Sequence, residues 1–547
     1  MTYHGWHRGR VEAVRPGSLV VSGVEPGTGT SYSDCPGGPP GAHAEGDAGV
    51  HVGQIAQLGA ERAPDAPCVE DERTRLTCGQ FAAAAGRLSG GLASLGVRAG
   101  DVVATMLPNC VEMVLTLFAA WRMGAAVTPV NPVLTAAEAA YQLADSGAKV
   151  VIADAASAGK LPRPGVRVIR LEDAGGLDGP PPPPRAEAGD LALLVYTSGT
   201  TGRPKGVMLD HANLAAMTGQ ILTALDITAA ARVLLVLPLF HVNGIMLSVV
   251  SPLAAGGSTV ILGRFDPQTF WRQVEQHRPT YFSAVPTIYL VLNSLPPQVR
   301  PDLSSLQFVI CGAAPMPTNA IHEFERRYRV PIVEGYGLSE GTVASTINPL
   351  HGTRKPGTVG LPFPGQQVAI AGDAGQHLPD GEIGEVIIRG ANVMRGYLGK
   401  PEATAGALRG GWLHTGDVGY LDADGYLVLV DRKKDMIIRG GENIYPKEIE
   451  NVLHQHPAIH EAAVVGRSDP VYGEQPVAYA VLRPGAHATP EELIGHCRAS
   501  LAKFKIPRAV YLVDSLPKNT IGKILKEPLR DDARSRTASQ PAPPRAG

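Results

Sequence analysis

Cysteine is scarce in this chain: six in 547 residues (Cys35, Cys68, Cys78, Cys110, Cys311 and Cys497), scattered, with no C-x-x-C pair and no metal-ligand spacing. That excludes a disulfide scaffold and a structural zinc module, and it fits reduced thiols in a cytoplasmic protein. Net charge is nearly absent too, at −2, which removes the case for a surface built to bind nucleic acid or another polyanion. The first residues lack a charged start followed by an apolar core, so no secretory signal is expected. Long uninterrupted apolar runs are missing as well. The most apolar window, residues 245–262, contains Pro252 and the pair Gly256-Gly257, and it reads as core rather than as a membrane span. No internal repeat is present.

What the chain does have is the stretch 191–206, LALLVYTSGTTGRPKG. Its apolar first half predicts a buried strand. Its second half suits an anion. Gly199, Gly202 and Gly206 let backbone amides come close, Thr197, Ser198, Thr200 and Thr201 add hydroxyls, and Arg203 and Lys205 add positive charge. The spacing is not that of the common nucleotide-hydrolase loop G-x-x-x-x-G-K-[ST], because Gly199 and Lys205 are too close and no Ser or Thr follows the lysine.

At this length the chain implies two or more domains. Residues 1–50 and 532–547 are rich in small residues and proline without a hydrophobic period, and both are expected to be disordered. Between them, helix and strand signals alternate. Thr77 and Gln80 make a capping-box pair ahead of Phe81, Leu88 and Leu92 at helical spacing, and Thr135 and Glu138 make another, with Gly147 as the stop. Strands are predicted at 102–106, 126–130 and 150–153. Strand and helix in alternation predict an α/β fold with parallel sheets covered by helices. The run Pro180 to Pro184 reads as a stiff surface spacer.

Further apolar strands run into chemically loaded loops: 233–237 into Pro238-Leu239-Phe240-His241, 308–310 into Cys311-Gly312-Ala313-Ala314-Pro315, and 331–333 into Glu334-Gly335-Tyr336-Gly337-Leu338-Ser339-Glu340. Ligands of open parallel sheets lie beyond the carboxyl ends of the strands, so these loops and the glycine-hydroxyl loop converge on one place. There Tyr336 can lay its ring on a flat base, with a core tyrosine as the bland alternative. Ser339 can donate to a phosphate oxygen. Glu340 makes sense beside phosphates only with a divalent cation such as Mg²⁺, and is otherwise an ordinary surface glutamate. Asp417, ahead of a hairpin with Asp424-Gly425 at its turn, can accept two ribose hydroxyls or be a turn residue. Arg432 offers a fork to ribose or phosphate oxygens, or belongs to a solvated charge run.

The string TSGTTGRPKGV, the Tyr-Gly-x-Ser-Glu stretch 336–340, the segments around Asp417 and Arg432, and Gly522-Lys523 resemble, in order, the motifs of the adenylate-forming superfamily, of the acyl-CoA synthetase type. Ser339 stands where threonine is usual, which keeps the hydroxyl. The resemblance covers about residues 51–530. It implies a large N-terminal adenylation domain at 51–433, a hinge at Lys434, and a small mobile α+β domain at 434–531. It also implies a two-step reaction: a carboxylic acid and Mg-ATP give an acyl-adenylate and pyrophosphate, and coenzyme A then takes the acyl group. A separate carrier protein is the alternative acceptor, and an aryl-acid ligase the alternative enzyme; a homodimer stays open.

Carried over residue by residue, the catalytic set is Lys523, Glu340 (also the metal ligand) and Thr197. The nucleotide is held by Thr197, Ser198, Gly199, Thr200, Thr201, Gly202, Lys205, Gly312, Ala313, Ala314, Gly335, Tyr336, Gly337, Ser339, Asp417, Arg432 and Lys434. Gly440, Gly441 and Glu442 line the pantetheine passage. His241, Asn243, Ile245, Leu247 and Gly337 line the acyl pocket. In the family's acetate enzymes a tryptophan at the position of Gly337 closes that pocket, so a glycine predicts room for more than two carbons. The wall is apolar apart from Asn243 and His241, which favours a medium- or long-chain fatty acid and disfavours a dicarboxylate. Lys505, Lys518 and Lys526 read as surface lysines.

Overall fold

The computed structural model describes residues 51–161, 166–174, 176–197, 203–314, 316–432, 435–440, 442–518 and 524–538. Helices start where the caps predict. Thr77 and Gln80 exchange side-chain and backbone bonds at the head of Cys78–Ser94, and Thr135 and Glu138 do the same for Ala136–Ser146, which Gly147 ends at φ 64°.

Two sheets carry the large domain. In one, the order is Gly396–Tyr397, Lys205–Asp210, Leu191–Thr197, Ala126–Pro129, Val102–Met106, Val150–Ala153 and Arg167–Arg170. The other runs Leu361–Pro362, Thr346–Ile347, Ile332–Tyr336, Phe308–Cys311, Tyr281–Ala284, Arg232–Leu235, Ser258–Ile261, Pro67–Glu70 and Arg75–Thr77. Their central pairings are parallel. The strands at Val102–Met106 and Val150–Ala153 are buried along their whole length, as expected of parallel strands packed on both faces. One hydrophobic core joins the two sheets through residues such as Phe118, Trp121, Leu193, Leu235 and Ile310.

The alternation pattern did not show two features. After Thr197 the chain returns as an antiparallel strand, Lys205–Asp210, rather than crossing over to a parallel one. A third, antiparallel sheet also forms from Gln367–Ala371, Gly384–Arg389, Leu408–Arg409, Trp412–Leu421 and Leu427–Arg432. The smaller C-terminal domain is α+β. Its sheet joins Glu442–Ile444, Ile437–Arg439, Gly473–Leu482 and Ile459–Asp469, with Ala509–Leu512 parallel to Gly473–Leu482. It has cores of its own, one of them built on Ile437, Ile449, Leu453, Val464 and Leu493. Among the described residues no helix is long and apolar enough to cross a membrane, and Ile245, Val249 and Val250 of the apolar window are fully buried.

Burial also sets a pH response. It pushes His211 down to about 3 and His454 to about 4, so both are neutral in the fold. Below pH 6.5 the unfolded chain takes up protons that the folded chain refuses. Stability falls from there down to the folded values, by roughly 1 kcal/mol per pH unit for each histidine. Burial raises Glu334 to about 7, which acts in the opposite sense between that value and its usual 4.5. The histidines outnumber it, so the unfolding midpoint in urea should be clearly lower at pH 5 than at pH 7.5. A midpoint that rises toward pH 5 would contradict these assignments.

Candidate active site

The antiparallel return places Thr197 directly across from Lys205. The Lys205 ammonium stands 5.0 Å from the centre of the Tyr397 ring. Tyr397 is held by pairing of its short strand with Lys205–Asp210, and its hydroxyl donates to Glu340 Oε1 at 2.9 Å. Burial and the Glu340 carboxylate raise its pKa, so the phenol stays a donor. The Met394 N–H donates to the Glu340 carbonyl at 2.8 Å, which fixes the backbone on the same side. Sequence reasoning found Thr197, Lys205 and Glu340 but missed Tyr397, a lone aromatic whose only local signal is the glycine before it.

A second constellation adjoins the first through the segment 336–340. The strand Ile332–Tyr336 runs further than expected, so Glu334, Gly335 and Tyr336 lie on the strand itself. Buried Tyr336 donates to Asp417 Oδ2 at 2.6 Å, while Arg432 Nε pairs with Asp417 Oδ1 at 3.0 Å. Asp417 and Arg432 are cross-strand partners in the hairpin that turns at Gly425 (φ 80°). Asp417 is therefore a buried strand residue rather than a turn residue. Burial first, then Asp417, raises the Tyr336 pKa and keeps that phenol protonated.

The loop after Phe308–Cys311 forms the third side. Ala313 takes a left-handed backbone at φ 67°, unusual for a residue with a side chain. A Cβ on Gly312 would stand 3.5 Å from the Gly335 carbonyl and 4.0 Å from the Asn243 amide nitrogen, so this loop, the strand end at Gly335 and Asn243 meet here. Asn243 Oδ1 accepts from Ser283 Oγ at 3.1 Å. Burial pushes His241 down to about 4 and its Nε2 has no partner, so it is a neutral wall residue. Ile245 and Leu247 are buried in the main core, where the helix passes into a wider π turn at Met246–Val250. Ala314 and Ser339 are half-buried beside these loops. Glu334, which sequence reasoning passed over, is buried at the base of the loop: one oxygen accepts from the Met316 N–H at 3.0 Å and the other has no partner.

The reading of Gly337 needs correction. A Cβ there would stand 2.2 Å from the Val343 carbonyl and 2.5 Å from Ala344 Cα. The volume a side chain would take is filled by backbone, not left open. Gly337 is required for that close approach, and it gives no measure of how deep the acyl pocket runs.

The lysines of the small domain also differ from expectation. Lys526 is not a surface residue: its side chain is 17% exposed and pairs with buried Glu450 at 2.9 Å. Burial works against its charge, but Glu450 and Asp431 outweigh it, and the pKa is raised. Lys505 is partly buried in its pair with Glu448, while Lys518, paired with Glu461, is an exposed lysine as expected. On either side of residues 433–434, Asp431 accepts from the Lys447 N–H and Asp435 pairs with Arg530. Gly440 donates to the Tyr472 carbonyl, and Glu442 pairs in register with Arg439. Among the described residues, Gly440 and Glu442 make no hydrogen bond or ion pair with the constellation of the large domain. Ser198, Gly199, Thr200, Thr201, Gly202, Lys434, Gly441 and Lys523 lie outside the described residues.

Comparison with known proteins covers most of the chain. Residues 57–398 match the model of the AMP-binding enzyme family, and residues 448–523 match that of the AMP-binding enzyme C-terminal domain. A feruloyl-CoA synthase from Amycolatopsis sp is 40% identical over 480 residues, spanning 86% of this chain and 96% of its own. A long-chain-fatty-acid–CoA ligase from Bacillus subtilis (strain 168) is 35% identical, spanning 86% and 93%. The crystal structure of ATP-bound MatB from Rhodopseudomonas palustris superposes with a TM-score of 0.83 at 31% identity, covering 89% of this chain and 99% of that one. The chain belongs to the AMP-binding enzyme family, as an enzyme of its AMP-forming acid–CoA ligase type.

Proposed function

We propose that the protein activates an apolar carboxylic acid with ATP, releasing pyrophosphate, and then passes the acyl group from the adenylate to coenzyme A. The observation that carries this reading is that Thr197, Lys205 and Glu340, linked through Tyr397, adjoin Tyr336, Asp417 and Arg432 through the segment 336–340, although they come from three different sheets. Thr197, residues 198–202 and Lys205 hold the triphosphate. Gly312–Ala314 and Tyr336 enclose the base, and Asp417 with Arg432 takes the ribose. Ser339 donates to a phosphate oxygen. Glu340 fits a magnesium ion, because its carboxylate is a hard oxygen donor held in place by Tyr397. Magnesium, when bound, shields phosphate charge. Lys434 is the hinge between domains 51–433 and 434–531, and Gly440, Gly441 and Glu442 border the passage for the thiol.

For the acid, a medium- or long-chain fatty acid is the first reading. With Gly337 set aside, it rests on the apolar wall and on the neutrality of His241, which leaves no cation there for a second carboxylate. An aryl acid is the second reading, favoured by the identity to the feruloyl-CoA synthase. The test is ATP-dependent pyrophosphate release over acids from two to eighteen carbons plus benzoate, cinnamate and malonate, with and without CoA. Acids of six or more carbons should turn over and form acyl-CoA; dominance of acetate or malonate would overturn the pocket reading.

Tyr397 acts as a positioning residue in this scheme. Tyr397→Phe keeps the ring under Lys205 and removes the bond to Glu340. Loss of such an outer partner typically weakens metal binding or activity by about 10- to 100-fold. The Mg²⁺ concentration for half-maximal pyrophosphate release should rise by roughly that factor, while CoA dependence stays as in the parent enzyme. An unchanged Mg²⁺ requirement would remove Tyr397 from the account.

A further inference from the structure

We propose that the helix Ala136–Ser146 aims the residues that grip the triphosphate, with Tyr141 and Asp145 as positioning residues. This rests on the reading that Thr197 and Lys205 hold the phosphates. Tyr141 and Asp145 lie four residues apart, and so on one face of the helix. The Tyr141 hydroxyl donates to the Pro204 carbonyl at 3.0 Å, one residue before Lys205. Asp145 Oδ2 accepts from the Tyr196 hydroxyl at 2.7 Å, one residue before Thr197. One helix face thus ties down both strands immediately beside residues 198–202, the outgoing one at Tyr196 and the returning one at Pro204. The Arg203 guanidinium carbon also stands 5.6 Å from the centre of the Tyr141 ring, a second hold on the returning arm.

The helix is itself fixed. Its start carries the capping box of Thr135 and Glu138, and Ala139 and Leu143 are packed in a core with Val102, Met106 and Val151. Gln142 Nε2 donates to Thr128 Oγ1 and to the Pro129 carbonyl, each at 3.2 Å. Tyr196 reaches Asp145 by lying across its cross-strand partner Gly206: a Cβ there would stand 3.2 Å from Tyr196 Cζ and 3.4 Å from its hydroxyl oxygen. The missing side chain of Gly206 therefore makes room for the tyrosine ring. Burial, with Asp145 behind it, raises the Tyr196 pKa, so the phenol remains a donor. The backbone ladder closes without either bond, through Tyr196 with Gly206 and Thr197 with Lys205, and Pro204 lies one residue beyond its last rung. What the two bonds add is a fixed aim for Thr197 and Lys205, and donors held in place before the reaction are the ones that lower its barrier.

The test measures, in the full-length protein, the KM for MgATP in acid-dependent ATP–pyrophosphate exchange and, separately, the conversion of preformed acyl-adenylate and CoA to acyl-CoA. Tyr141→Phe keeps the ring beside Arg203 and loses the bond to Pro204, while Tyr196→Phe loses the bond to Asp145. The KM for MgATP is expected to rise about 3- to 10-fold in the first and by about 10-fold or more in the second, where the acceptor is a carboxylate. The second half-reaction should keep the parent rate in both, because an acyl-adenylate carries neither the β- nor the γ-phosphate. Asp145→Ala should match Tyr196→Phe, and the double variant should be no worse than either. Asp145→Asn, which retains an oxygen acceptor, should stay near the parent. The proposal is overturned if both tyrosine variants keep the parent KM, or if both half-reactions fall together, the mark of a general loss of structure. A parent protein without acid-dependent exchange overturns the underlying reading of Thr197 and Lys205, and that result is seen before any variant is made.

Discussion

Lys523→Ala is expected to lose carboxylate-dependent pyrophosphate release by about 10²- to 10³-fold while still converting preformed acyl-adenylate and CoA to acyl-CoA. In the first half-reaction a carboxylate attacks the α-phosphorus of ATP, and negative charge gathers on the equatorial oxygens. An ammonium already in place stabilises that charge without reorganisation, and removing one such donor typically costs ~3–4 kcal/mol of barrier. The second half-reaction attacks a carbonyl and uses a different face of the small domain in this scheme, so it should be spared. The residues on either side of 519–523 are themselves held in place. Lys518 and Ile524 pair with each other, the Leu525 N–H donates to the Pro517 carbonyl at 2.8 Å, and Lys526 is anchored on Glu450. Equal losses in both half-reactions would indicate a structural role for Lys523 instead.

Glu340→Gln should be nearly as damaging, with a different signature. Glutamine can still accept the Tyr397 hydroxyl, so the fold around it is preserved, but the negative charge that attracts a divalent cation is gone. The expected result is a fall of about 10²-fold in pyrophosphate release with a strongly raised Mg²⁺ requirement. Binding of metal-free ATP, followed by calorimetry in EDTA, should be unchanged or slightly tighter, since one repulsive carboxylate has been removed. Weaker binding of metal-free ATP would place Glu340 in the structural frame and not at a cation.

Much of this was legible in the residues themselves. The capping pairs at Thr77 and Thr135 and the strands at 102–106 and 150–153 are set by neighbours within a few positions, and they stand where expected. The strand-end loops were legible for the same reason, since an apolar run followed by glycines and hydroxyls is a local pattern. What escaped depends on partners distant in sequence. Lys526 looks like any lysine until Glu450 is found beside it, and Tyr397 has no visible role until Lys205 arrives on a strand and Glu340 on a 3-10 turn. Gly337 was read by what its missing side chain would leave open, yet the Val343–Ala344 backbone fills that space. The antiparallel return of Lys205–Asp210 was hidden because a parallel and an antiparallel buried strand share one apolar pattern.

The most direct measurement of the central claim is exchange of labelled pyrophosphate into ATP by the parent enzyme, with Mg²⁺, with an acid of six or more carbons, and without CoA. The account predicts exchange that requires the acid and disappears in Lys523→Ala. Folded, ATP-binding protein that gives no acid-dependent exchange with any acid in the panel would contradict it.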